Sequence, residues 1–352
     1  MGFVFGWVGS WAVTWALGAV DCHSGYAQTM VRFTVLASGS KGNSTVVSGG
    51  RTRVLVDAGL SCRELFRRMR LVGEDPETLD AIVITHEHMD HVNGLAVTAR
   101  KLGIPVYFTE ATHRAWMRWL TPRRQMTYAQ WMEQCRKQAE ERQAETDVGV
   151  CEGAPDDAEL VVEAASSDVY EPDASQPPSR KADPTWLPGV EYFESGKPFE
   201  IGDLAVSPFT IPHDAADPVG FVFKTEGVRM AFATDLGYIP PNVKAQLKGV
   251  DLLLLESNHD LEMLRDGPYP WQVKQRVLSR VGHLSNETTA GYLENEYDGQ
   301  AAYIILANLS ESNNLPELAR VAAERALTGR ASLLANRLLL AEQHNSLSPI
   351  YF

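Results

Sequence analysis

The chain has 352 residues, is 44% hydrophobic and 22% charged, and carries a formal net charge of -13. Those totals allow a large buried core, in one big domain or two small ones, and exclude a chain too polar to fold. The acidity argues against a general nucleic-acid coat, but it is unevenly placed: residues 145–185 hold eleven acids against Arg180 and Lys181, a net of -9. Cys22, Cys62, Cys135 and Cys151 lack pair spacing and read as reduced thiols of a cytoplasmic protein, none of them an evident metal ligand.

The first stretch, FVFGWVGSWAVTWALGAV at 3–20, has the length and apolarity of a membrane span or a signal-peptide core. No Lys or Arg precedes Arg32, however, and no clean small-x-small cleavage site precedes Met30. Residues 1–29 therefore read as an apolar extension from a misassigned start, with no stable membrane association; if they are genuine, they would export or anchor the protein. From Met30 the pattern is strand, turn, strand: Phe33–Ala37, Ser44–Val47 and Arg53–Asp57. The amides of the glycine-rich turn Ser38–Asn43 form either an anion nest or merely a turn, which makes Ser38 and Asn43 candidate substrate contacts. Asp57 closes an apolar strand, where it would orient a neighbouring metal loop by hydrogen bonds or cap the helix expected at Ser61–Arg70. On that helix Arg63, Arg67, Arg68 and Arg70 form either a phosphate contact or a solvated face.

Next comes the strand Ala81–Ile84, and behind it Thr85-His86-Glu87-His88-Met89-Asp90-His91 packs three imidazoles and an aspartate into six residues. In an extended segment His86, His88 and Asp90 point one way while a bend carries His91 toward a second point, so two adjacent metals are served. Imidazole and carboxylate without thiolate suit zinc, manganese or iron, and such a site keeps a water and is catalytic rather than closed and structural. Val92, Leu95, Ala96, Ala99 and Leu102 keep helical spacing up to the stop at Gly103 and Pro105.

A strand at Ile104–Phe108 and a helix at Glu110–Leu120 follow. Residues 124–144 read as an exposed charged helix, and 145–185, acidic and rich in Ser and Pro, cannot bury enough apolar area to order themselves. Together they form an insertion at about 121–186 within a domain of residues 30–352. Strands resume at Gly189–Phe193, Leu204–Ile211, Val219–Lys224, Val228–Thr234 and Asp251–Glu256, and helices at 286–297 and 315–327 bracket a strand at 301–306. This is an α/β arrangement of two packed mixed sheets with helices on both outer faces. His213 and Asp235 stand at strand ends, where further ligands belong.

The His-x-His-x-Asp-His signature at 86–91 resembles that of the metallo-β-lactamase superfamily, which implies a four-layer αββα fold and two-metal hydrolase chemistry. The segments ASGSKGNS (37–44), LVDAGLS (55–61), ITHEHMDHVNGL (84–95), PHDAADPVGF (212–221), ATDLG (233–237), ESNHDLEML (256–264), GPYPWQVKQRVLS (267–279), GHLSNE (282–287) and LSESNNLPELA (309–319) resemble its YycJ (WalJ) branch. That branch comprises bacterial cytosolic proteins implicated as 5′-exonucleases. The resemblance runs from Met30 to about Arg320, outside the insertion.

By that resemblance His86, His88 and His213 hold a first divalent ion and Asp90, His91 and Asp235 a second, with Asp235 bridging; zinc or manganese is expected. The substrate would be nucleic acid, DNA rather than RNA, cleaved by a metal-bridged hydroxide. Asp90 would accept a proton as well as bind metal, and His283 would protonate the departing sugar oxygen. One departure stands out: where the branch carries a last histidine ligand, this chain has Asn308. A neutral amide oxygen is a poor zinc ligand, so the second site should be weak or should prefer manganese or magnesium, unless His283 or His259 completes it. Two other functions fit the same motif: a small-molecule hydrolase of lactones, thioesters or β-lactams, and a regulatory scaffold that binds one metal without turnover.

Deleting residues 145–185 and joining the ends with a short Gly/Ser linker should leave metal content unchanged and the melting temperature within about 3 °C, since so polar a segment contributes little burial. Calorimetric melting of the shortened protein checks this; a collapse of stability would make the segment part of the core.

Overall fold

Alternation along the strands decides the layering. In the run Leu252-Leu253-Leu254-Leu255, Leu252 and Leu254 join the residues packed between two sheets, whereas Leu253 and Leu255 join those packed under helices. A strand buried on both faces has to be apolar throughout, as this one is. The structure, a computed structural model, describes residues 30–121, 183–328 and 337–352, with Gly2, Met132 and Arg136. The candidate membrane or signal stretch, the charged helix expected at 124–144 and the acidic segment lie outside the described residues, apart from those three and the last few residues before Trp186. Among the described residues no helix is long and apolar enough to cross a membrane.

The first sheet has seven strands: β1 Arg32–Ala37, β2 Ser44–Ser48, β3 Arg53–Val56, β4 Ala81–Val83, β5 Pro105–Phe108, β6 Gly189–Tyr192 and, at the far edge beside β1, β14 Ile350–Tyr351. The second also has seven, in the order β13-β12-β11-β10-β9-β8-β7: β7 Phe199–Ile201, β8 Leu204–Thr210, β9 Val219–Thr225, β10 Val228–Ala233, β11 Leu252–Glu256, β12 Tyr303–Ala307 and β13 Arg337–Leu340. Helices α1 Cys62–Leu71, α3 Leu95–Leu102 and α4 Glu110–Leu120 cover the first sheet through Leu65, Phe66, Met69, Leu95, Ala99 and Trp116. Helices α5 Pro241–Gln246, α8 Asn286–Asn295 and α9 Pro316–Thr328 cover the second through Val243, Leu293, Ala319 and Ala323. The four-layer αββα arrangement expected from the sequence is therefore the one observed.

Two parallel blocks place the chemistry. β3, β4, β5 and β6 run parallel, as do β10, β11, β12 and β13. Within each block all strands end at the same sheet edge, so residues just beyond those ends are brought together.

Three elements depart from expectation. The helix expected across Val92–Leu102 is broken at Asn93-Gly94 into a single turn, α2 Met89–Val92, and α3. The cause is a close approach: a Cβ on Gly94 would lie 1.9 Å from the Leu60 carbonyl oxygen, and one on Gly59 would lie 1.7 Å from that of Asp90. Hydrogen bonds from Gly94 N to Ala58 O (2.8 Å) and Ala58 N to His91 O (2.8 Å) use that proximity to stitch the loop after β3 to the loop after β4, and one from Asn43 N to Asp90 O (2.7 Å) ties in the turn between β1 and β2. The arginines of α1 are not one phosphate-facing set, because Arg68 is buried and donates to Leu36 O, Gln343 O and Glu64, while Arg67 pairs with Glu64. The cap of α1 is Ser61, whose Oγ accepts from Glu64 N, and not Asp57.

Gly94→Ala should lower stability by about 1–3 kcal/mol, since backbone must move to admit one methyl group. Urea denaturation reads the loss, and because the same contact sets the loop carrying His86–His91, metal content should fall with it.

Candidate metal centre

Asp57 is the first residue off β3 and is fully buried. Its Oδ1 accepts from Thr85 N (2.9 Å), and its Oδ2 from Thr85 Oγ1 (2.8 Å) and the His91 Nδ1–H (2.7 Å). An acid expected to orient the metal loop thus does so, and it leaves His91 Nε2 directed away from Asp57. The Thr85 hydroxyl, having given its proton to Asp57, accepts from His86 Nδ1 at 3.0 Å. His213 follows β8, and its Nδ1 donates to Val281 O at 3.1 Å.

With both Nδ1 atoms so used, the bare nitrogens converge: His86 Nε2 lies 3.1 Å from His88 Nδ1, which lies 3.3 Å from His213 Nε2. Nitrogen lone pairs facing one another at that distance call for a cation between them. Burial, then the charge of His91, pushes the pKa of His86 well below its ordinary value; burial, then His213, lowers that of His88. Both rings are neutral, which is the ligating form.

A second group adjoins the first. His91 Nε2 lies 3.5 Å from Asp90 Oδ2 and 3.5 Å from Asp235 Oδ2. Asp235 Oδ2 is buried and has no hydrogen-bond partner, an orphaned anionic oxygen that fits a cation. Burial opposes its ionisation, yet the neighbouring imidazole charge, that of His91 foremost, holds its carboxyl far below the usual range. Three overlapping sets, His86/His88/His213, His86/His91/Asp235 and His213/Asp235/His283, each bring their ligand atoms within 4.8 Å of one another. The donors present fit divalent cations.

Asn308 follows β12 as expected, beside Asp235, but its amide nitrogen donates to Asp235 Oδ1 (2.9 Å) and to Glu256 Oε1 (2.7 Å), so only its oxygen remains to face a cation. The glycine-rich turn is not a vacant anion nest. Gly39 N donates to Asn43 Oδ1, Lys41 N to Gln343 Oε1 and Gly42 N to Gly39 O, while Ser38 Oγ accepts from Asn308 N. Asn43 instead donates to Asp90 Oδ2 at 3.2 Å and holds that acid in place. His259 is buried with neither ring nitrogen hydrogen-bonded and does not line the cavity; burial, then His283, lowers its pKa to about 4.

The residue that sequence reasoning missed is Glu256, the last of β11. Fully buried, it accepts from His283 Nδ1 (2.8 Å) and Asn308 Nδ2 through Oε1, and from Leu236 N (2.9 Å) and Leu284 N (3.1 Å) through Oε2. The available signal was an acid ending an otherwise apolar strand. His283 in turn faces a cleft of about 250 Å³ that is also lined by His88, Asp90, His213, Asp235 and Asn308. Burial works against charge on His283, but Glu256 and Asp235 overcome it and raise its pKa to about 9.

The model of the metallo-beta-lactamase superfamily matches residues 37–273. An exodeoxyribonuclease YycJ of Bacillus anthracis is 33% identical over 300 residues, which is 84% of this chain and 89% of that protein. An exodeoxyribonuclease WalJ of Streptococcus pneumoniae is 32% identical over 290 residues, 82% of this chain and 86% of that one. Among solved structures, the metallo-beta-lactamase fold protein YhfI of Bacillus subtilis superposes with a TM-score of 0.55 at 13% identity, covering 90% of this chain and 99% of that one, a likeness of fold. The chain belongs to the metallo-β-lactamase superfamily, in the family of YycJ and WalJ.

Proposed function

We propose that the protein is a metal-dependent phosphodiesterase that acts as a 5′ to 3′ exonuclease on DNA. The observation that carries this reading is the pairing of His283 with Glu256 at the edge of the candidate metal groups. Its Nδ1–H is given to the carboxylate, so the protonated ring presents Nε2–H to the cleft. A general acid there serves the sugar oxygen that leaves a phosphodiester, and the relatives named exodeoxyribonucleases point to the same substrate.

His86, His88 and His213 would hold one cation, and Asp90, His91 and Asp235 a second, with the Asn308 oxygen as a weak further donor. Bound there, zinc or manganese would polarise the phosphate and acidify a water. Asp57 fixes the tautomer and direction of His91, Asn43 steadies Asp90, and Glu256 keeps the His283 proton in place. Asp90, partly exposed at the cleft, is placed to take a proton from the attacking water as well as to ligate. We also infer one domain over 30–352, interrupted at about 121–186, and a cytoplasmic location from the unpaired cysteine spacing.

His86→Ala and His213→Ala should each empty the first site and abolish turnover of end-labelled DNA, whereas His283→Ala should keep its metal and lose about a hundredfold or more in kcat. Metal analysis beside kinetics separates these, and an emptied site in His283→Ala would make that residue a ligand. In the metal-free protein an NMR titration should find His283 protonated up to about pH 9. Glu256→Gln should move that midpoint down, because the carboxylate stabilises the charged ring.

Calorimetric titration of the metal-free protein with manganese should show two unequal steps, since the second site offers a neutral amide as its last donor. Asn308→His should tighten the weaker step and raise activity at limiting metal. Two equal, tight steps in the unmodified protein would refute the assignment.

A further inference from the structure

A phosphodiester that enters the cleft meets one side chain whose positive charge no working pH removes. Among the described residues lining the cleft, Arg276 is the only lysine or arginine; the other charged groups there are candidate ligands or His283. Its Nε donates to Asp214 Oδ2, and among the described residues neither Nη has a hydrogen-bond partner. Asp214 Oδ1 lies in turn 3.5 Å from His213 Nε2. The guanidinium is thus tied by its inner nitrogen to an acid beside a first-site ligand, and its outer fork of N–H groups is unused. An ion pair whose arginine side chain is 56% exposed adds little to folding, so stability does not account for it.

The backbone under Arg276 is fixed by the segments that carry the centre. The helix around it, Trp271–Val277, buries no residue, so packing does not place it. Instead His283 N donates to Val277 O at 3.0 Å, and a Cβ on Gly282 would lie 2.3 Å from Arg276 O. Val281 O accepts from His213 Nδ1 at 3.1 Å, and a Cβ on Gly237, just after Asp235, would lie 2.3 Å from Arg280 O. Backbone contacts therefore register Arg276 against His213, Asp235 and His283, which a group that acts in concert with them requires.

In-line hydrolysis of a phosphodiester leaves charge on the two non-bridging oxygens while the bond to the departing sugar oxygen breaks. A planar fork of N–H donors matches two such oxygens, as the point charge of a lysine does not. We propose, resting on the phosphodiesterase reading above, that Arg276 is a further catalytic residue whose Nη1 and Nη2 grip the non-bridging oxygens of the scissile phosphate, with Asp214 as its positioning residue. Water attacks phosphorus as its proton passes to Asp90. The bond to the sugar oxygen breaks with its electron pair going to that oxygen, and His283 supplies the proton that neutralises it. Arg276 keeps all its own protons and its hydrogen bonds strengthen as charge builds. The competing account is that Arg276 only neutralises Asp214 and keeps that carboxylate off the first-site nitrogens.

The test uses the manganese-loaded protein with end-labelled DNA and with bis(p-nitrophenyl) phosphate, which offers the cleft a phosphodiester and no polymer. Arg276→Gln should lower kcat on both about a hundredfold, while the manganese binding steps measured by calorimetry stay as they are. Arg276→Lys should remain within about threefold of Arg276→Gln, because it restores charge without the fork. Asp214→Asn combined with Arg276→Gln separates the two accounts. A counter-ion is not missed once its acid is neutral, so the double variant regains kcat if neutralising Asp214 is all that Arg276 does, and stays as slow as Arg276→Gln if the arginine grips phosphate. The proposal is overturned by an unchanged kcat in Arg276→Gln, by full activity in Arg276→Lys, by recovery in the double variant, or by altered manganese binding in Arg276→Gln. Unmodified protein that cleaves neither substrate would overturn the phosphodiesterase reading itself, a result distinct from cleavage that is indifferent to Arg276.

Discussion

A carboxylate cut off from water is costly unless its oxygens are hydrogen-bonded or face a cation, and Glu256 meets that demand by drawing three separate segments to one point. Its donors are Leu236 N after β10, His283 Nδ1 and Leu284 N ahead of α8, and Asn308 Nδ2 after β12. Loss of the carboxylate would strand four buried donors at once, each at about 1–3 kcal/mol, so the acid organises the second-sheet half of the centre as much as it tunes His283.

The first-sheet half depends on Asp57 in the same way, and the two halves share a backbone device. Asp57, Asp235 and Asn308 all have positive φ, at 60°, 62° and 54°, and all lie within two residues of the end of a strand in a parallel block. Left-handed backbone costs an L-residue about 1–2 kcal/mol, least for Asp and Asn, whose short polar side chains bond locally. Here those side chains bond to Thr85 and His91, to Asn308, and to Glu256, so the bonds that build the centre are also the ones that offset its strain.

Legibility followed the strength of local pattern. The cluster at 86–91 could be read because four ligand residues at fixed spacing are rare, and His213 and Asp235 because each follows a clear strand. Glu256 was not, because one acid after four leucines is indistinguishable from a strand's polar end until its partners, all distant in sequence, are known. The turn Ser38–Asn43 left two readings open, and what decided between them was Gln343, some 300 residues away, taking the amide of Lys41. Helices α5, α6 Leu261–Asp266 and α7 Trp271–Val277 are under two turns long, too short for a 3.6-residue period to register, and the strand β7 and the edge strands β13 and β14 are similarly brief.

Charge decides the order of events at the cleft. Glu256 pairs closely with His283, Asp57 with His91 and Asp214 with Arg276, whereas Asp90 and Asp235, both at the cavity, share the other nitrogen of His91 at 3.5 Å. Without cations those two carboxylates would work against an incoming phosphodiester. Two divalent ions would reverse the sign, and at such short range the change is large in a partly dry cleft. On the proposed reading, entry of the scissile phosphate would therefore be coupled to metal loading.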